Sequence, residues 1–120
     1  APVRTPEEAA RVLWHVASGA DFTFFEHYLA DEAGHAQDMT AALDALDTFD
    51  AFTRAVVAAR PADARVLVCS DHGNVEDLST RGHTLHPVPV LYFGPPLSEA
   101  ESFSTVADVG RAVLRWLGAE

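Results

Sequence analysis

The sequence predicts an α/β protein in three layers, with helices on both faces of a mostly parallel sheet. Helical and strand-like segments alternate along the 120 residues, and such alternation is typical of parallel sheets. Clusters of Asp and His follow the ends of predicted strands, which is where such sheets bind ligands. The length favours a single domain over residues 1–120, because no repeat or long linker divides the chain.

The composition excludes several function classes. A hydrophobic content of 48% fits a folded protein, and a net charge of −10 argues against nucleic acid, whose phosphates would be repelled. No apolar run approaches the ~20 residues that span a bilayer, so we expect no membrane partner. The single Cys69 excludes an intramolecular disulfide, and its apolar neighbours predict a small buried side chain. We expect a reducing, cytoplasmic location.

The first and last helices have clear start signals. Thr5 precedes Pro6 and two acids, a pattern typical of a capped helix start. Ser104 or Thr105 is expected to cap the last helix, which Gly118 ends.

A long central helix is predicted over residues 37–60. Its apolar face is expected to comprise Met39, Leu43, Leu46, Phe49, Phe52, Val56 and Val57. An acidic line with a spacing of three is expected to face solvent, namely Asp44, Asp47 and Asp50.

Three segments are predicted to form strands. Residues 21–29 are rich in Phe, Thr and Tyr and apolar at nearly every position, so both faces should be covered. Residues 65–69 form the second strand. Residues 87–93 form the third, with prolines that keep its start outside a regular ladder. Glu26 and His27 interrupt the first strand, and local hydrogen bonds explain them better than a ligand role.

The most informative stretch follows the second strand, where residues 70–74 read Ser-Asp-His-Gly-Asn. Asp71 and His72 at a strand end form half of a metal site, and the glycine lets the backbone turn sharply. Asp31 and His35 are four residues apart, so in a helix they would share one face. His83, in a connecting loop, would complete a three-residue ligand set with room for water or substrate.

Carboxylate oxygens and imidazole nitrogens suit Mn²⁺ or Zn²⁺, and without thiolates the choice between them stays open. Asp71 and His72 can converge in a turn, on a second ion. Two ions a few ångströms apart would form a clamp for phosphoryl transfer. Taken singly, Asp71 could cap a turn and His83 could be a surface residue; taken together, the pattern favours a metal site.

These segments resemble the alkaline phosphatase superfamily. The closest likeness is its metalloenzyme branch, with cofactor-independent phosphoglycerate mutase and phosphopentomutase. The resemblance runs from about residue 21 to the end, and it rests on Asp31-x-x-Gly34-His35, on residues 70–74 and on His83-Thr84 before Pro87-Val88-Pro89. It implies a partial alkaline-phosphatase-like core, here the C-terminal half.

The resemblance also implies the division of the ligands. In the complete enzyme two divalent ions, Mn²⁺ or Zn²⁺, are expected. One would be held by Asp31, His35 and His83, and the other by Asp71 and His72. The substrate would be a phosphorylated small molecule.

Two parts of the family pattern have no match in this chain. They are a metal-binding Asp from an earlier strand and a Ser or Thr nucleophile at a helix start. Ser18 and Ser70 lie at the wrong positions. We therefore assign no catalytic residue, and we expect one ion or none, and no activity, from this chain alone. The first hypothesis is then a portion of a metal-dependent phosphatase or phosphomutase, with the missing half lost, removed by design or supplied by another chain.

Two other hypotheses stay open. The chain could be a non-catalytic metal-binding or interaction module that keeps the fold, or a soluble α/β domain without ligands. An incomplete parallel sheet would leave an unpaired apolar edge, which tends to pair with another chain. We therefore expect a homo-oligomer, or pairing with the missing half.

Overall fold

The computed structural model describes residues 3–99 and 101–119. Over these residues the chain is an α/β fold of four helices and one two-stranded sheet. The elements in chain order are α1 (Pro6–Ala17), α2 (Leu29–Ala36), α3 (Met39–Ala58), β1 (Val66–Cys69), β2 (Val90–Phe93) and α4 (Val106–Trp116). A search of the same residues finds no helix with the length and apolar character that crossing a membrane requires.

The predicted helix starts are confirmed. Thr5 caps α1: its hydroxyl accepts a hydrogen bond from the backbone N–H of Glu8 at 3.2 Å, and the Glu8 carboxylate accepts one from the backbone N–H of Thr5 at 2.9 Å. Thr105, not Ser104, caps α4 through the same reciprocal arrangement with Asp108. Each of these two capping boxes satisfies backbone N–H donors that would otherwise lack a partner at the start of a helix.

Helix α3 is the element on which α1 and α2 both pack. The indole N–H of Trp14 on α1 donates to the backbone carbonyl of Val56 on α3 at 2.9 Å. The buried apolar residues of the three helices are mostly small, namely Ala10, Ala33, Ala42, Ala45 and Val56. Small side chains let the helices approach closely, so these contacts fix the position of α2 relative to α3.

The predicted apolar face of α3 is only partly covered. Val56 is buried, but Met39, Leu43 and Leu46 are exposed, because the contacts with α1 and α2 use the neighbouring alanines. The acidic line of Asp44, Asp47 and Asp50 faces solvent as predicted.

The mostly parallel sheet in three layers is not confirmed, because the two described strands are antiparallel. Val66 pairs with Phe93 and Cys69 pairs with Val90. A parallel pair needs a crossover connection, usually a helix. Here the connection is a loop that doubles back through a bridge between Gly73 and Thr84, so β2 returns in the opposite direction.

The strand predicted over residues 21–29 is wrong. Residues 22–28 have no regular secondary structure, and α2 already begins at Leu29. A strand needs a hydrogen-bonded partner, and none of the described strands pairs with this segment. Phe24 is 77% exposed, although Phe25 meets Phe52 of α3 with ring centroids 5.1 Å apart.

His27 packs against the ring of Phe49 at 4.7 Å between centroids. Burial lowers its pKa. Its Nε2 is buried without a hydrogen-bond partner, so the expected local hydrogen bond is not found on that atom. The histidine serves packing between the extended segment and α3.

The prediction of a buried Cys69 is also wrong. It is the last residue of β1 and is exposed, whereas the three preceding residues are partly buried. The strand leaves the apolar layer at this point, just before the polar turn. Desolvation of the thiol, and then the charge of Asp71, raises the pKa of Cys69.

Helix α4 is joined to the sheet through Trp116. Its ring lies 5.7 Å from that of Tyr92 on β2, and the guanidinium of Arg65 lies 5.2 Å from its centroid. The indole N–H donates to Glu101. These contacts place α4 beside the strand pair, away from α2.

We predict that Asp108→Asn destabilises the fold at neutral pH but not in acid. Arg111, and then Thr105, hold the pKa of Asp108 at about 2, below its usual 3.8. The pKa of Asp108 is lower in the folded state than in the unfolded state, so its ionised carboxylate stabilises the fold. This stabilisation is complete above the unfolded pKa of 3.8 and is lost as the pH falls through about 2. Urea unfolding followed by circular dichroism from neutral pH to pH ~2 measures it. An equal deficit at both ends would contradict the assignment; Asp44→Asn, at an exposed site of α3, is the control.

We predict self-association through the exposed aromatic segment. Phe22, Phe24, Phe25 and Tyr28 are each more than half exposed. Exposed apolar side chains that cluster in one segment are candidates for an interaction site. Light scattering after size-exclusion chromatography should give the mass of a dimer or larger assembly, and Phe24→Ser should shift it towards the monomer. Leu85→Ser is the matched control at an isolated exposed residue. A clean monomer at moderate concentration would contradict the prediction.

Candidate metal centre

Helix α2 presents Asp31 and His35 on one face, as their spacing predicts. Asp31 Oδ2 lies 3.4 Å from His35 Nε2. The other ring nitrogen of His35, Nδ1, lies 2.6 Å from the backbone carbonyl of Arg81. A carbonyl only accepts, so Nδ1 must donate, and Nε2 of the neutral ring is left with a free lone pair. Such a hydrogen bond fixes the tautomer and the ring orientation of a histidine ligand.

His83 joins this pair from the loop between β1 and β2. Its Nε2 is 3.3 Å from Nε2 of His35 and 3.8 Å from Oδ1 of Asp31. The structure therefore brings together the three residues expected to hold one ion. Two ring nitrogens and a carboxylate oxygen converge on one region, which is the donor set that a divalent cation takes.

His72 is drawn into the same cluster. Its ring stacks on that of His83, with centroids 3.5 Å apart and planes at 13°. One ligand atom each from Asp31, His72 and His83 lie within 4.8 Å of one another. Nδ1 of His72 is buried without a hydrogen-bond partner. His72 thus contacts both His83 of the first ligand set and its neighbour Asp71.

Asp71 lies at the edge of the cluster. Its Oδ1 is 3.5 Å from Nε2 of His72, and its side chain is 78% exposed. The structure therefore gathers Asp31, His35, His72 and His83 into one cluster and leaves Asp71 on its rim. The division of the ligands between two ions stays a prediction.

The loop that carries His72 and His83 is closed by Glu76. Its carboxylate accepts hydrogen bonds from the backbone N–H of Asn74 at 2.6 Å and from the Thr84 hydroxyl, and lies 3.2 Å from Nδ1 of His86. The Thr84 hydrogen bond is the main cause that lowers the pKa of Glu76. The carboxylate thereby ties the turn after β1 to the segment before β2.

Gly73 is required by this closure and not by its backbone angles. A Cβ at residue 73 would lie 2.2 Å from the Thr84 hydroxyl oxygen and 2.5 Å from a Glu76 oxygen. Its φ is not positive, so the expected reason for the glycine, a sharp turn, is replaced by close approach.

Sequence reasoning missed the roles of Asn74 and Glu76. Asn74 is buried, and its Nδ2 donates to Asp31 Oδ1 at 2.9 Å. Glu76 was not singled out from the sequence. The available signal was an acid two residues beyond the Ser-Asp-His-Gly-Asn stretch, in the loop that ends at His83, but spacing alone does not give its partner.

The residues present fit a divalent cation. Carboxylate and imidazole donors converge, one of the histidines has its outer nitrogen fixed by a carbonyl, and the buried Nδ1 of His72 has no protein partner. The side chains of Asp31 and His83 are 38% and 50% exposed, so water or a substrate can reach the same point.

Known proteins of one family are similar to this chain in sequence. The sequence profile of the Metalloenzyme superfamily matches residues 4–120. The chain is similar to the 2,3-bisphosphoglycerate-independent phosphoglycerate mutases of Cereibacter sphaeroides and Ruegeria pomeroyi, with 31% identity over 121 residues, or 94% of this chain and 24% of each relative. The enzyme of that name from Yersinia pestis is 35% identical over 92 residues, or 70% of this chain and 18% of the relative.

The chain therefore spans about a quarter of the length of the curated relatives it matches. No solved structure matches it. The family is one of metal-dependent proteins, which suits the donor cluster, and the resemblance seen in the motifs is confirmed: the chain belongs to the Metalloenzyme superfamily.

Proposed function

We propose that this chain forms the divalent-metal-binding portion of a phosphatase or phosphomutase. The observation that carries the proposal is the convergence of Asp31, His35 and His83, with the two Nε2 atoms 3.3 Å apart although the histidines are 48 residues apart in sequence. The similar proteins are phosphoglycerate mutases, which supports phosphoryl transfer as the chemistry. A phosphorylated small molecule is the proposed substrate.

In this proposal Asp31, His35 and His83 hold one ion, and Asp71 and His72 hold the other. The short distances within the first set support the first assignment. The contact between Asp71 and His72 at 3.5 Å supports the second. When bound, a pair of ions stabilises the attacking and leaving oxygens of a phosphoryl group. We propose Mn²⁺ or Zn²⁺, since the donors suit both.

The chain's own residues prepare the site for such ions. The Asp31 carboxylate supplies the negative charge that a cation needs. The carbonyl of Arg81 turns Nε2 of His35 towards that carboxylate. The half-exposed rings of His35 and His83 leave one side open to solvent, from which a phosphorylated substrate approaches.

We also propose that the strand pair is part of a larger three-layer α/β/α sheet in the complete domain. The curated relatives are about four times as long as the matched region. The exposed aromatic residues before α2 support burial against further structure. Pairing with that structure, or with a second copy of the chain, is the proposed partnership.

A non-catalytic metal-binding module is the second candidate function. The hydroxyl of Ser70 donates to the backbone carbonyl of His72 at 2.7 Å, and that of Thr84 donates to Glu76. Both hydroxyls beside the cluster are thus engaged in holding the loop. This chain alone is expected to be inactive under both candidates, so they are separated by hydrolysis of p-nitrophenyl phosphate after the missing half is added. The phosphatase portion then turns over, whereas the module binds metal without turnover.

We predict that the chain takes up close to one Mn²⁺ or Zn²⁺ ion and that His83→Ala reduces the affinity more than tenfold. Removing one of three protein ligands leaves an incomplete set for the cation. Isothermal titration calorimetry gives the dissociation constant, and elemental analysis of the same sample gives the ion content. His15→Ala, at an exposed position of α1, is the matched histidine control and should bind as the wild type does.

Two results would contradict this prediction. No uptake by the wild-type chain would overturn the metal-binding function. Equal affinity in the wild type and in His83→Ala would move the site away from the cluster. Circular dichroism of each variant shows whether a loss of binding reflects a loss of folding.

A further inference from the structure

We infer that Asn74 is a positioning residue of the metal centre, which holds the Asp31 carboxylate and joins the helix that carries it to the loop that carries the histidines. This inference rests on the proposed function. It assigns a role to a residue outside both proposed ligand sets, and it connects elements far apart in the chain.

The first observation is the hydrogen bond from Asn74 to Asp31. Asn74 is 6% exposed, and its Nδ2 lies 2.9 Å from Oδ1 of Asp31 and 3.5 Å from Nε2 of His35. An ionised carboxylate only accepts, so the amide group, and not the carbonyl, must face it. Asn74 therefore occupies a lone pair of Oδ1, while Oδ2 faces His35.

The second observation is the space that α2 leaves for this side chain. A Cβ at residue 34 would lie 1.5 Å from Oδ1 and 2.6 Å from Cγ of Asn74. The carboxamide therefore rests directly on the backbone of α2, where only a glycine fits. Glycine inside a helix is less favourable than alanine. Gly34 thus lowers the stability of α2 but leaves space for the Asn74 side chain.

The third observation is the anchoring of Asn74 at its backbone. Its N–H donates to Glu76 at 2.6 Å, and Glu76 also accepts from Thr84, the residue after His83. Asn74 is itself two residues after His72. One side chain and one backbone N–H therefore link the Asp31 helix to both histidine-bearing segments. Residues of this kind orient metal ligands, and their loss typically costs 10–100-fold in affinity.

The test is a titration of the full chain with Co²⁺, read by calorimetry and by the visible absorption of the bound ion. Asn74→Ala should weaken Co²⁺ about 10–100-fold. Its visible spectrum should also change, because Asp31 is free to reorient. The melting temperature is measured in the absence of metal, so that folding and ion binding are read separately.

Gln37→Asn is the matched control. Gln37 also ties the end of α2 to the loop: its Nε2 donates to the Leu78 carbonyl at 2.9 Å, and its Oε1 accepts from Arg81 Nε at 3.0 Å. It has a left-handed backbone, with φ of 56°, which asparagine tolerates. The shorter side chain loses this tether without removing a contact to the Asp31 carboxylate. The hydrogen bond of His35 goes to the backbone carbonyl of Arg81 and not to the side chain that Gln37 contacts, so Co²⁺ affinity should stay near that of the wild type.

A double-mutant cycle with Gly34→Ala tests the same contact from the side of α2, so the test does not rest on Asn74→Ala alone. The added methyl group displaces the Asn74 carboxamide, so Gly34→Ala should weaken Co²⁺ about as much as Asn74→Ala does. Once Asn74 is alanine, the methyl group meets far less obstruction, and the second substitution should cost little more. Such non-additivity is the signature of two residues that act through one contact.

The outcomes are distinct. No Co²⁺ uptake by the wild type overturns the proposed function and this inference with it. Uptake by the wild type with equal affinity in Asn74→Ala overturns the inference alone. Equal losses of Co²⁺ affinity in Asn74→Ala and Gln37→Asn also overturn it, because any link between α2 and the loop would then have the same effect. Additive losses in the cycle would do the same.

Discussion

The pairing of Gly73 with Thr84 is the interaction on which the site and the sheet both depend. The backbone N–H of Thr84 donates to the carbonyl of Gly73 at 2.9 Å, which folds the long loop back on itself. The reversal sends β2 along β1 in the antiparallel direction. It also brings together His72 and His83, because each directly precedes one of the paired residues. Glu76 reinforces the pairing from one side.

The features that could be predicted from the sequence are those whose causes are local. Thr5 and Thr105 cap helices through partners three residues away, and Asp31 and His35 share a helix face through their spacing. The segment 22–28 shows the opposite case. Its composition suits a strand, but a strand forms only where a partner offers backbone hydrogen bonds, and composition carries no information about the partner.

The sheet direction and the role of Asn74 could not be predicted for a related reason. Both depend on contacts across more than ten residues, which are set by how the loop closes. The bond from Asn74 to Asp31 joins residues 43 apart in sequence. From the sequence, Asp31 belonged to a ligand set and Asn74 only to the stretch after β1. The approach of the loop to α2, over Gly34, makes them neighbours. The ligand types were thus readable in the sequence, whereas the contacts that hold them were not.

In the proposed function, the charge of the chain bears on the order in which the cation and the phosphorylated substrate bind. The chain carries a net charge of −10, so its field attracts cations and repels a phosphorylated substrate. Asp31 adds a half-exposed carboxylate at the point where the substrate must approach. A bound divalent ion is often the largest local charge in a site and reverses the sign of its field. In the proposed function we therefore expect the cation to bind before the phosphoryl group, and the hydrogen bond from Asn74 that holds Asp31 in place would serve both steps.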